Sequence, residues 1–229
     1  MARRLEVLRS DRPELRLGPD GKLALLFDTA SKALAGFTAS VQQAIGGDEI
    51  ALNRAIRQCV AEALESSVTA IAGFSPKLPE SFHVNGAGNF EVGGPEGDNG
   101  LSGMKLVVDA YGPRVPIGGG ALSGKDFFKA DRAGGVLARK LAKSVVATGM
   151  AAECAATLAI FPGDEAFRIV ALRDGNGMTL DSHRWAQLMD LSLASAGESY
   201  ALTPTLPALA RYGHFTSPDR PWEAIRFGM

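Results

Sequence analysis

GGGALSGKDFFKADR, residues 118 to 132, places Lys125, Lys129 and Arg132 beside Asp126 and Asp131, directly behind three consecutive glycines. Glycines let backbone N–H groups approach phosphate oxygens, lysines add positive charge at short range, and an aspartate can take the Mg²⁺ that accompanies a polyphosphate. The segment closes a wider glycine-rich region, since 12 of the 27 glycines fall between Gly86 and Gly124. No strict three-residue period runs through that region and apolar runs interrupt it, which excludes collagen-like and linker-like readings. A Walker A loop is also disfavoured. Gly119, Gly124 and Lys125 fit GxxxxGK, but Asp126 stands where a Ser or Thr must meet Mg²⁺. Taken alone, the segment can equally be a charged loop before a capped helix.

Upstream, GGPEGDNGLSGMK (93–105) holds Asp98 between glycines and reads by itself as a bulged hairpin with glycines at positive φ. Pro19-Asp20-Gly21-Lys22 reads as a turn with a solvated lysine. Around these, Leu23 to Phe27 and Leu34 to Ala39 are expected as two strands separated by a polar turn. Leu52, Ile56, Cys59, Val60, Ala63 and Leu64 form the apolar stripe of a helix opening near Asn53. Pro76 and Pro79 end helical structure, and Phe82 to Asn85 reads as a short strand.

Lys105 to Ala110 is strand-like, and Asp131 is the expected N-cap of a helix carrying Val136, Leu137, Leu141, Val145 and Val146, ending near Gly149. Strands are expected at Ala155 to Phe161 and Phe167 to Leu172, then a helix from Ser182 to about Ala194. These elements make an α+β protein of two similar-sized units, with the break near Gly93 to Gly97.

Composition narrows the function classes. With 46% apolar and 21% charged residues, the chain has the balance of a soluble globular protein. A net charge of −1 offers no bulk field for nucleic acid or an anionic membrane, so an anion site must be built locally. Cys59 and Cys154 are far apart and lack metal-ligand spacing, which fits a reducing cytosol. MARRLEVLRS has no apolar signal core, and the stretch from Val145 to Phe161 is broken by Gly149 and Glu153, so neither a signal peptide nor a membrane span is expected. His83, His183 and His214 are scattered and read as structural or surface histidines, and Trp185 and Trp222 as packing residues.

GGPEGDNGLSGMKLVVDAYG, GGGALSGKDFFKADR and the late RYGHF…PWE resemble, in order and spacing, the blocks of the S-adenosylmethionine synthetase (methionine adenosyltransferase) family. Phe90, Asp98, Lys105, Ala121, Lys125, Lys129 and Asp131 fall in the family's register, and Asp20, Gly21 and Lys22 resemble its PDGK turn. The resemblance is specific from about Phe82 to Lys143, is supported at Tyr212 to Phe215 and Pro221 to Glu223, and is weaker before residue 80.

The resemblance implies a pseudo-threefold α+β fold of three related repeats, with residues 1–92 as a middle-type repeat and 93–229 as the C-terminal type. The family's first repeat, which carries a His-Pro-Asp motif in the active site, has no counterpart here, so a second polypeptide is expected to supply it. The family joins ATP and methionine: the substrate sulfur attacks the 5′ carbon and displaces the whole triphosphate, which is then cleaved. By match, Lys125, Lys129 and Lys105 hold the polyphosphate as catalytic groups, and Asp131 takes Mg²⁺. Asp98 and Phe90 sit at the methionine and adenosine end, Ala121 joins the substrate set, and Asp20 and Lys22 come from the other repeat. K⁺ is the second ion implied, and the cytoplasm the compartment.

Three positions depart from the family: Met104 and Asn89 replace arginines, and Ile117 replaces a histidine. Arg114 and Arg132 are the nearby cations that could compensate. These departures keep open the alternative of a non-catalytic scaffolding or regulatory relative.

Overall fold

The computed structural model describes residues 1–97, 110–112, 115–116, 121–201, 206–211 and 213–225. The chain divides into two compact units, Met1–Gly100 and Leu101–Met229, each described by itself.

In the first unit, β1 (Leu17–Asp28) pairs antiparallel with β2 (Ala33–Gln43), and β2 pairs parallel with β3 (Ser81–Val84). Alternation along β2 buries Phe37, Ala39 and Val41, and Phe37 stacks on Phe82 of β3 with ring centroids 4.5 Å apart. Helix α2 (Glu49–Glu65) presents the expected stripe, Leu52, Ile56, Val60 and Leu64, to the same core. It begins before Asn53 because Asp48 caps it, its carboxylate accepting the Ala51 N–H at 2.9 Å. Asp48→Ala is expected to destabilise this unit by about 1 kcal/mol in urea denaturation.

Helix α1 (Ala2–Asp11) was not evident as a helix in the sequence. It lays Met1, Leu5 and Leu8 on the core while Arg4 bonds Glu62 of α2 at 3.1 Å. The Pro19-Asp20-Gly21 stretch is a bulge inside β1 rather than a turn. Leu17 faces Gln43 and Gly21 faces Val41, so four steps along β1 answer two along β2. The turn between the strands lies at Asp28–Ser31, where the Asp28 carboxylate accepts the Ala30 N–H and the Ser31 hydroxyl.

In the second unit, α3 (Ala130–Ala147) packs on a hairpin of β4 (Cys154–Ala159) and β5 (Arg168–Asp174). Val136, Leu137, Leu141 and Val145 are buried, whereas Val146 is exposed. The helix starts two residues earlier than expected: Lys129 is the N-cap and Asp131 lies in the first turn. The stretch after Ser182 forms two helices, α4 (His183–Leu188) and α5 (Leu193–Ala201), followed by α6 (Leu206–Ala210). The break between α4 and α5 is made by Asp190, which accepts the Ser192 N–H, and by Ser192, whose hydroxyl accepts the Ser195 N–H. Of the strand-like stretch from Lys105 to Ala110, residues 105–109 lie outside the described residues, and Ala110 is helical rather than extended.

Both cysteines are free. Among the described residues no helix is long and apolar enough to cross a membrane.

Candidate polyphosphate site

The GKDFFKADR segment becomes a turn whose two sides do different work. Gly124 takes φ 77°, a left-handed conformation open to glycine at little cost, and reverses the chain just before Lys125. Asp126 then accepts the Phe128 N–H at 2.9 Å, which tightens the approach to α3. Ala121, Leu122 and Phe127 point inward and are buried. Phe127 meets Tyr200 and Trp222 at 5.4 and 5.3 Å between ring centroids, and Trp222 meets Tyr200 at 5.6 Å.

Lys125, Lys129 and Asp131 are left on the outer side. Lys125 Nζ bonds Asp131 Oδ2, with the two side chains 26% and 45% exposed. An ion pair this open to water contributes about 0–1 kcal/mol, so a polyanion can take the lysine from it easily. Lys129 is exposed at the mouth of α3, where the first turn's free N–H groups and the helix dipole also favour an anion.

Beneath the turn lies Arg132, wholly buried. Its Nη1 donates to the Lys125 carbonyl, its Nη2 lies 3.0 Å from His214 Nε2, and the guanidinium sits 4.6 Å over the Phe127 ring. It is therefore committed to the interior rather than to the surface. His214 is buried as well, and its carbonyl accepts the Trp222 indole N–H at 2.7 Å. Burial first, and then the Arg132 charge, push the His214 pKa down to about 4.

The sign follows from a folded pKa below the ordinary 6.5. As pH falls from 6.5 to about 4, the unfolded chain binds a proton that the folded chain refuses, so stability falls, by roughly 3 kcal/mol in all. Urea denaturation at about pH 7 and about pH 5 should show this slope, and His214→Gln should flatten it.

A second tie closes the unit. Glu223 is buried and receives both Arg139 and Lys143 of α3. Burial raises its pKa, but the bonds from these two cations outweigh that and hold the carboxyl below the usual range. Arg139 also bonds the Tyr111 hydroxyl and stacks 5.2 Å over Phe215.

Asp20, Lys22 and Phe90 belong to the first unit. The Asp20 carboxylate accepts the Gly21 N–H at 2.7 Å and the Gly94 N–H at 2.9 Å, while Gln42 receives the Asp20 N–H and donates to the Glu91 carbonyl. The Phe90 carbonyl accepts the Gln43 N–H at 2.9 Å. The β1 bulge thus fixes the Phe90–Gly94 segment along β2. Lys22 and Asn89 are exposed. Asp98, Lys105, Met104, Arg114 and Ile117 lie outside the described residues.

A family model for the S-adenosylmethionine synthetase C-terminal domain matches residues 92–224, more than half the chain. The chain belongs to the S-adenosylmethionine synthetase family. It is similar to S-adenosylmethionine synthase 2 of Rhodospirillum rubrum, 43% identical over 142 residues, a match covering 59% of this chain and 36% of that protein. It is also similar to the S-adenosylmethionine synthase of Deinococcus deserti, 33% identical over 239 residues, covering 97% of this chain and 57% of the relative. An unusual S-adenosylmethionine synthetase from Campylobacter jejuni has the same fold, with a TM-score of 0.75 at 24% identity, over 97% of this chain and 61% of that one. The chain therefore spans between 36% and 61% of these synthetases, and its α+β fold is that of part of the synthetase architecture.

Proposed function

We propose that this chain is a subunit of a methionine adenosyltransferase shared between polypeptides, and that it contributes the part of the site that holds the triphosphate of ATP. The observation that carries the proposal is the turn at Lys125, Lys129 and Asp131. Two lysines and a carboxylate stand on the open side of a helix N-terminus, in a family whose reaction expels a polyphosphate. The substrate sulfur is the nucleophile, so the chain's task is to orient the triphosphate and stabilise charge on the leaving oxygens.

Lys125 leaves Asp131 for the phosphate oxygens, and Lys129 meets them at the mouth of α3. Asp131 is then free for Mg²⁺, a hard ion that takes one or two carboxylates and completes its shell with phosphates and water. Its exposed carboxylate suits that role. Among the described residues no cluster of three or more His, Cys, Asp or Glu could hold a metal alone, and the phosphates of ATP are proposed as further ligands. Bound there, Mg²⁺ would neutralise charge on the leaving polyphosphate; K⁺ is proposed as the second ion.

Lys105 is proposed to extend this set from the glycine-rich region, Asp98 to sit with Phe90 at the methionine and adenosine end, and Ala121 to join the substrate set. Residues 1–92 are proposed as the middle-type repeat, in which Asp20 sets the Phe90 segment at the methionine and adenosine end while Lys22 reaches the phosphates. A second polypeptide bearing the His-Pro-Asp repeat is proposed to complete the site, and the cytoplasm is proposed as the compartment.

The test combines this chain with a polypeptide carrying that repeat and follows S-adenosylmethionine formation from ATP and methionine. Activity should require both chains and be lost with Lys125→Ala. Exposed Asn89 at a position where the family has arginine favours the second reading, a scaffolding subunit, for which Lys125→Ala would leave turnover unchanged.

A further inference from the structure

Arg132 occupies a place that three physical rules disfavour. It is 0% exposed, yet among the described residues no carboxylate is paired with it. Asp126 favours its charge only through space, since that carboxylate is bonded to the Phe128 N–H. Its Nε has no hydrogen-bond partner. It also lies in the first turn of α3, where the helix dipole opposes a cation.

The three groups that hold it, His214, the Lys125 carbonyl and the Phe127 ring beneath the guanidinium, are all neutral. A guanidinium has no acceptor, so His214 Nε2 must accept, which requires the neutral imidazole. The other hydrogen bond is to the Lys125 carbonyl. A buried charge partnered by neutral groups is unfavourable in itself, and an apolar side chain of similar volume is often as stable or more so. Local rules broken in this way mark functional sites. A polyanion on the outer face of the same turn would offset the unpaired charge and the opposing dipole.

We propose that Arg132 is a positioning residue of the polyphosphate site: it fixes the Lys125 backbone from beneath and supplies a permanent positive charge that never touches the ligand. The inference rests on the reading of the turn as a polyphosphate site. It also assigns a purpose to the RYGHF and PWE blocks. Trp222 bonds the His214 carbonyl, His214 holds Arg132, and Arg132 holds Lys125, a relay across 82 residues of sequence between Arg132 and His214.

The experiment titrates Mg²⁺–tripolyphosphate by calorimetry into the full chain, wild type and the variants Arg132→Met, Arg132→Lys and Lys125→Ala, with thermal melting of each in the absence of ligand. Arg132→Met should bind at least about tenfold more weakly while still melting cooperatively as a folded protein, and Arg132→Lys, which keeps the charge but loses the fork, should recover part of the affinity. Unchanged affinity in Arg132→Met, or no recovery in Arg132→Lys, overturns the proposal. Should Arg132→Met fail to fold, Arg132→Lys decides alone: about threefold weaker binding is expected, and wild-type affinity overturns the inference. The two readings separate cleanly. Binding lost in Lys125→Ala but intact in Arg132→Met removes the Arg132 role alone, whereas no binding by wild type removes the polyphosphate site and this inference with it.

Discussion

Lys125→Ala is expected to lower turnover of the assembled enzyme by about 10²–10³-fold while leaving the melting temperature of the chain nearly unchanged. The two halves of this expectation come from the same ion pair. Against a departing polyphosphate, Lys125 is a positioned donor whose charge meets charge that develops in the transition state, and the loss of one such donor typically costs about 3–4 kcal/mol in the barrier. Against the folded state it contributes little, because its partner Asp131 is nearly half exposed and can be solvated when the lysine is gone. Steady-state kinetics with ATP and methionine, beside circular-dichroism melting, check both. A fall in kcat with KM for ATP little changed places the interaction in the transition state, and a rise in KM alone would place it in ground-state binding.

Trp222→Ala should have the largest effect on stability, about 3–5 kcal/mol. Its side chain is fully buried, packs on Phe127 and Tyr200, and donates to the His214 carbonyl. Losing that amount consumes a large fraction of the roughly 5–15 kcal/mol that holds an ordinary domain folded. Trp222→Phe keeps most of the packing but orphans the His214 carbonyl, at about 1–3 kcal/mol. Urea denaturation read by near-ultraviolet circular dichroism separates the two variants. A Trp222→Ala protein that unfolds at the wild-type midpoint would mean that the PWE block is not part of this core.

The long amphipathic helices were legible because burial imposes a period. Leu52 through Leu64 and Val136 through Val145 repeat at helical spacing and are buried in α2 and α3. Helix α1 has too few apolar positions to announce itself, since Leu5 and Leu8 stand among arginines and glutamate, and it is held by tertiary contact with α2. At Pro19-Asp20-Gly21 the local chemistry suits a turn and a bulge equally, and the pairing of β1 with β2 decides between them.

The candidate site divides in the same way. The outward lysines and Asp131 could be read from the blocks that carry them. Arg132 could not, because arginine is rarely buried and the histidine that fixes it comes from far along the chain. Composition and spacing carry no record of such a contact. His214 and Trp222, by contrast, were expected to be structural, and both lie in the interior.

The central claim is that the exposed face of the GKDFFKADR turn holds a polyphosphate. Titrating Mg²⁺–tripolyphosphate into the full chain, wild type and Lys125→Ala/Lys129→Ala, tests it most directly. Saturable binding by wild type that the double variant loses is the predicted result. Equal binding by the two proteins, or none by wild type, would contradict it.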